Sequence, residues 1–196
     1  KIIKTTGIET IRRAEFNVTT SDLCLESAKE LIRKNNINPF DIDAVIFVSQ
    51  TADYKMPQTS HIIQDKLKLS EGTVCFDLPI GCNGYIYGLY QASLLISSNS
   101  CKNVLLLSGD TSTKLINEKD KSLKMVFGDG ASATLIREGV DELSFIIYSD
   151  GSQFDSLIIP DGGCRNPINE RSSQINFDSD GNGRTSSNLY MDGMAI

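Results

Sequence analysis

Three short runs, Ala44 to Val48, Val74 to Leu78 (broken only by Asp77) and Val104 to Leu107, read as buried strands without the alternation of a half-exposed strand. Strands read this way when both faces are covered, as inside a parallel sheet. Between them the pattern turns helical. From Thr20 to Asn35 the apolar residues Leu23, Leu25, Ala28, Leu31 and Ile32 recur at helical spacing, with Thr20 or Ser21 available as N-cap. Asn35-Asn36 and Pro39 then stop that helix. Pro57 opens a second helix through about Leu67, with Ile62, Ile63 and Leu67 as its apolar stripe. Strands alternating with helices imply right-handed crossovers, so an α/β fold with a mainly parallel mixed sheet flanked by helices is expected. Ala131 to Ile136 and Leu143 to Tyr148 read as later strands, at an edge.

The chain has 196 residues, 40% of them hydrophobic, enough for one core and one domain over 1–196. Nineteen basic against twenty-five acidic side chains leave a net charge of −6, which argues against a nucleic-acid surface. Five cysteines, an odd number without a Cys-x-x-Cys pair, fit neither a disulfide framework nor a zinc knuckle. No metal and no cofactor is expected. Asn17-Val18-Thr19 matches a glycosylation sequon by chance, given free thiols and no signal peptide. No stretch is long and apolar enough to span a membrane, so a cytoplasmic, reducing setting is the expectation. Lys1 is not an initiator Met, and Met191 to Ile196 carries no terminal signal, so we expect a fragment. Residues 150–188 are rich in Gly, Ser, Asn and Asp and read as an irregular excursion. Within it Asp178-x-Asp180-x-Asn182-Gly183 resembles the start of a calcium loop, but Leu189 stands where that loop needs a Glu. It reads as a solvated loop.

The stretch with most chemical content is Asp77-Leu78-Pro79-Ile80-Gly81-Cys82-Asn83-Gly84-Tyr85, followed by an apolar run to Ile96. A strand ends, the chain turns at Gly81, and a helix begins at or just after Cys82. A thiol at a helix N-terminus faces unpaired N–H groups and the positive end of the helix dipole. Such sites lower a cysteine pKa from about 8.5 to roughly 3.5–7.5. The same N–H groups bind the oxyanion formed when a thiolate attacks a carbonyl. Local sequence leaves open the other role of a cysteine, that of a small buried residue. Cys24, Cys75, Cys101 and Cys164 lack this setting and read as structural.

The helix after Cys82 is apolar nearly all round, which marks a helix buried between layers. Gly84, Gly88 and Ala92 share one face of it, so another backbone can approach closely there. No other stretch is an equally apolar partner helix, and we expect that partner outside this chain. Phe127-Gly128-Asp129-Gly130-Ala131-Ser132-Ala133 contains Gly-x-Gly-x-x-Ala but leads into an apparent strand, not the helix a dinucleotide site requires. His61, the only histidine, lies in the helix opened by Pro57 and reads as structural or surface.

Taken together, these segments resemble the thiolase-fold condensing enzymes, specifically β-ketoacyl-acyl carrier protein synthase III. The resemblance rests on Thr6-Gly7-Ile8 with Arg12-Arg13, Asp41-Ile42-Asp43, Pro57, Gly81-Cys82-Asn83-Gly84-Tyr85, Phe127 to Ala131, and Met191-Asp192-Gly193, in family order from about residue 4 to 196. It implies one amino-terminal half of a five-layered αβαβα architecture, with the helix after Cys82 packed on its counterpart from the other half. It implies Cys82 as nucleophile, a turn of Gly81, Asn83 and Gly84 around it, and Met56 and Tyr85 at the acyl pocket, Met56 across a homodimer interface. The implied partners are an acyl thioester (acyl-carrier protein or acyl-coenzyme A) and malonyl-acyl carrier protein. Cys82 accepts the acyl group, and the decarboxylated malonyl unit then attacks it, a step of fatty acid or related acyl-chain biosynthesis.

Three departures qualify the resemblance. The family's catalytic His and Asn belong to its second half, so this half alone should not condense. The family's first strand has no counterpart before Lys1. The chain has no Trp; Lys1, Thr5 and Lys121 stand where the family binds coenzyme A, which weighs against that donor. Two other readings share the fold: an acyltransferase of the superfamily with a different second substrate, and a catalytically silent dimerisation subunit. An unrelated cysteine hydrolase would have to use His61.

Overall fold

The computed structural model describes residues 4, 6–139 and 142–193. Lys1, Thr5 and Met194–Ile196, which figured in the sequence reading, lie outside the described residues. The chain divides into two units, one of residues 14–111 and 130–145, the other of residues 1–13, 112–129 and 146–196.

The first unit is built on β1 (Ala44–Val48), β2 (Val74–Leu78), β3 (Asn103–Asp110) and β4 (Gly130–Arg137), in the order β2-β1-β3-β4. β1 pairs parallel with β2 and β3, placing Val48 beside Leu78 and Ser108, and β4 runs antiparallel to β3. β1 is buried at every residue, as its unbroken apolar run requires. Alternate side chains go to opposite faces. Val45, Phe47, Leu105 and Leu107 pack against α1 (Thr20–Lys34) and α2 (Thr59–Lys66); Ala44, Ile46, Val48, Val104 and Leu106 pack against α3 (Gly84–Ser97). Each Val, Leu, Ile or Phe among them contributes roughly 1.5–3 kcal/mol on full burial. The expected mixed sheet between helix layers is therefore present.

Several local expectations are corrected. Thr19, not Thr20 or Ser21, caps α1: its hydroxyl accepts from Asp22 N–H while the Asp22 carboxylate accepts from Thr19 N–H. Thr20 and Ser21 are instead buried. α2 begins at Thr59, two residues beyond Pro57, because the Asp77 carboxylate receives the N–H groups of Thr59 (2.7 Å) and Ser60 (2.9 Å). β2 is not a covered strand: it is the sheet edge, and Val74 is 45% exposed. Leu143 to Tyr148 forms no strand; Phe145 instead meets Tyr90 of α3 edge-on, with ring centroids 5.3 Å apart.

In the second unit, Asp120 caps the short α4 (Lys121–Lys124) by accepting from Ser122 and Leu123 N–H. The excursion after Asp150 carries two small antiparallel pairs, β5 (Leu157–Ile158) with β8 (Tyr190–Met191), and β6 (Asn176–Phe177) with β7 (Gly183–Arg184). The calcium-like segment is the β6–β7 turn. There Asp178 accepts from Asp180 and Asn182 N–H and pairs with Arg184. Among the described residues, no helix is long and apolar enough to cross a membrane.

Candidate active site

β1, β2 and β3 all end on the same edge of the sheet, the side on which open parallel sheets bind ligands. Past β2 the chain tightens at once. Ile80 N–H donates to Leu78 C=O (2.8 Å), and Gly84 N–H donates to Gly81 C=O (2.7 Å), closing a turn over Cys82 and Asn83. α3 starts immediately, with Asn83 as an N-cap that makes no side-chain cap and whose C=O accepts from Tyr87 N–H (3.2 Å). Tyr85 and Ile86 stand in the first helical turn, where amides have no intrahelical acceptor. Cys82, in the turn that precedes them, is exposed.

The close packing of α3 explains the glycines. A Cβ at Gly84 would lie 2.5 Å from Val48 Cγ1, and one at Gly88 2.5 Å from Leu106 Cδ1. The small-residue face thus sits on this chain's own β1 and β3, not on an outside helix as expected. The apolar side chains that stay uncovered are Ile86 and Leu94, 47% and 45% exposed.

Around the same strand ends lies a polar cluster. Asp110 Oδ1 accepts from Ser49 Oγ, Gln50 N–H, Thr51 N–H and Thr51 Oγ at 2.8–3.0 Å. Thr51 Oγ1 lies 2.7 Å from Thr20 Oγ1 and accepts from Thr111 N–H, and Ser21 Oγ donates to Asp53 (2.6 Å). These groups tie the start of α1 to the ends of β1 and β3. Sequence reasoning missed Gln50, Asp53 and Asp110. The available signal was polar residues directly after apolar strands, Ser49-Gln50-Thr51 and Asp110-Thr111, where a parallel sheet concentrates function.

The other cysteines sit in different surroundings. Burial pushes the Cys24 thiol up to about 12, with the carboxylates of Asp110 and Asp53 adding to it. Burial, then Asp77, raises Cys75; burial, then Asp43, raises Cys101. A thiol held protonated is a poor nucleophile. Cys164 is exposed, but in the second unit and away from any helix start. His61 is exposed on α2. Of the two residues expected at an acyl pocket, Tyr85 is half-buried with its hydroxyl 3.1 Å from Thr134 Oγ1, and Met56 is 82% exposed. The Phe127 to Ala131 loop runs into β4, so the helix that a dinucleotide site needs is not there.

Residues 76–151 match the 3-oxoacyl-(acyl-carrier-protein) synthase III family. The rest of the chain is similar to proteins of that name as well. The chain is 41% identical over 194 residues to a Campylobacter jejuni protein provisionally named 3-oxoacyl-(acyl-carrier-protein) synthase 3, covering 98% of this chain and 55% of that one. It is 34% identical over 175 residues to the synthase III of Caldanaerobacter subterraneus, covering 88% of this chain and 53% of the relative. A crystal structure of a 3-oxoacyl-(acyl-carrier-protein) synthase III superposes on the whole chain with a TM-score of 0.96 at 35% identity, using 59% of that structure. The chain therefore has the thiolase-like fold, and it spans about half the length of the curated relatives it matches.

Proposed function

We propose that Cys82 is the nucleophile of a condensing acyltransferase of the 3-oxoacyl-(acyl-carrier-protein) synthase III type, acting in fatty acid or related acyl-chain biosynthesis. The observation that carries this reading is an exposed thiol in the turn between the carboxyl end of β2 and the first turn of α3. In the first half-reaction the Cys82 thiolate attacks the carbonyl carbon of an acyl thioester, and the carrier thiol leaves. We assign the oxyanion to amides of this turn and of the first turn of α3 that have no intrahelical acceptor, a contribution whose loss typically lowers kcat by roughly 10²–10³. In the second half-reaction malonyl-acyl carrier protein loses CO2, its carbanion attacks the acyl carbon, and the Cys82 thiolate is released. In this family the decarboxylation step uses a His and an Asn that the resemblance does not reach; His61 is not assigned to it.

Met56 and Tyr85 are assigned to the acyl pocket. With its hydroxyl engaged by Thr134, Tyr85 offers its ring to the acyl chain. The proposal includes a homodimer with Met56 at its interface, as the resemblance implies, and a cytoplasmic setting, as the free thiols suggest. The absence of Trp favours an acyl-carrier protein over coenzyme A as donor. Intact-mass analysis of the full-length protein, incubated with acyl-coenzyme A and acyl-carrier thioesters, tests the nucleophile and the donor. The expected result is a gain of one acyl group from a carrier-protein donor, absent in Cys82→Ser. Folded protein with no adduct from any donor would overturn the enzyme reading in favour of a silent dimerisation subunit.

A further inference from the structure

Gln50 leaves β1 with its backbone held at Asp110, whose Oδ1 accepts from its N–H (2.8 Å) and from both N–H and hydroxyl of Thr51. Its side chain then reaches the end of the neighbouring strand and lays its carboxamide on Gly81. A Cβ at Gly81 would stand 2.9 Å from Gln50 Cδ and 3.4 Å from Nε2, and closer still to Oε1. Gly81 directly precedes Cys82, and its C=O accepts the bond from Gly84 N–H that closes the turn. The glycine thus takes the Gln50 carboxamide against its Cα and the start of α3 on its carbonyl.

We propose that Gln50 is a positioning residue for Cys82, with Asp110 as its anchor. Its contact holds the Gly81 peptide in the orientation that sets the Cys82 thiol against the first-turn amides of α3. This explains two residue choices at once. Position 81 lacks a side chain, and the carboxamide fills the space where one would stand. Position 50 must carry a long side chain with a flat end, because it has to cross from β1 to the end of β2. The inference rests on Cys82 being the nucleophile.

The test is a double-mutant cycle on thiol reactivity in the full chain. Alkylation of Cys82 by iodoacetamide under native conditions is followed by peptide mass spectrometry, with exposed Cys164 as internal reference. The carboxamide is the free end of a flexible side chain, so Gly81→Ala displaces it rather than breaking the fold. Gln50→Ala and Gly81→Ala should each slow Cys82 by roughly tenfold, and the double variant by that same factor rather than its square, since both remove one contact. Cys164 should react as before. A residue that only stabilised the fold would move the unfolding midpoint and leave the Cys82-to-Cys164 ratio in place. Should Gly81→Ala fail to fold, Gln50→Asn, one methylene too short to reach Gly81, takes its place and should lose the same factor. An unchanged Cys82 rate in Gln50→Ala, or losses that multiply, would overturn the proposal. Alkylation needs no acyl donor, so a failed acyl adduct alongside a non-additive cycle would remove the condensing reading alone.

Discussion

Cys24 and Cys82 differ in surroundings, not in chemistry. Cys24 sits in the core, fully buried on α1, and burial, with Asp110 and Asp53 near it, pushes its thiol from 9.0 up to about 12. That shift makes stability pH-dependent in a definite direction. Between pH 9.0 and about 12 the unfolded chain releases the Cys24 proton while the folded chain keeps it. The unfolded state then binds fewer protons, so stability is full below this window and falls as pH rises through it, by at most about 1.4 kcal/mol per pH unit. Lysines and tyrosines titrate in the same range, so the informative quantity is a difference. Urea unfolding of wild type and Cys24→Ala at about pH 8 and about pH 10 should show wild type losing more stability than the variant. Equal losses would mean that the folded thiol ionises normally. The structural role of Cys24 was legible in its lack of a strand–turn–helix setting, and the turn that carries Cys82 in the strand and glycine before it. The carboxylates that act on Cys24 were not, because their proximity comes from strand pairing across the sheet.

At the scale of elements, α3 shows what a pattern can and cannot say. The glycine-alanine face was read correctly as a place of close approach, but its partner was sought in another helix. Period-two alternation along β1 and β3 supplies the partner instead, since Val48 and Leu106 both point to the face that α3 covers. Gly88→Val brings this out. Its Cβ alone would lie 2.5 Å from Leu106 Cδ1 and 3.1 Å from Val48 Cγ2, two side chains that are themselves packed in the core. Unlike the carboxamide beside Gly81, they have nowhere to go. Overpacking of this kind costs roughly 1–3 kcal/mol, and a lower urea midpoint with an unchanged slope is the expected outcome. A midpoint equal to wild type would mean that α3 shifts freely on the sheet. The covered strand β1 was legible to the residue, while β2 was taken as covered because edge and centre strands with apolar runs look alike until the pairing order is known.

At the scale of the whole molecule, the irregular texture after Asp150 hid a specific structure. Composition reads as loops there, since two-residue strands leave no period to detect. What holds this unit is long-range and polar: Arg184 Nε donates to Asp120 Oδ2 at 2.8 Å, and Leu189 N–H donates to Leu115 C=O at 2.8 Å. Asp120 is fully buried at its side chain and Arg184 is 15% exposed, so the pair is largely out of water. Burial works against the Asp120 charge, but the Ser122 hydroxyl, the Leu123 amide and Arg184 outweigh it and hold its carboxyl below the usual carboxylate range. Arg184→Ala would leave that carboxylate buried with only its α4 partners. Removing one partner of a buried pair costs roughly 3–5 kcal/mol, far more than an exposed pair such as Lys29 with Glu26. In urea the variant should therefore unfold at markedly lower concentration, while Lys29→Ala should stay near wild type. The penalty should also shrink as pH falls, because protonating Asp120 removes the stranded charge. A small loss in Arg184→Ala, unchanged by acid, would mean that Asp120 gains enough water when the guanidinium goes.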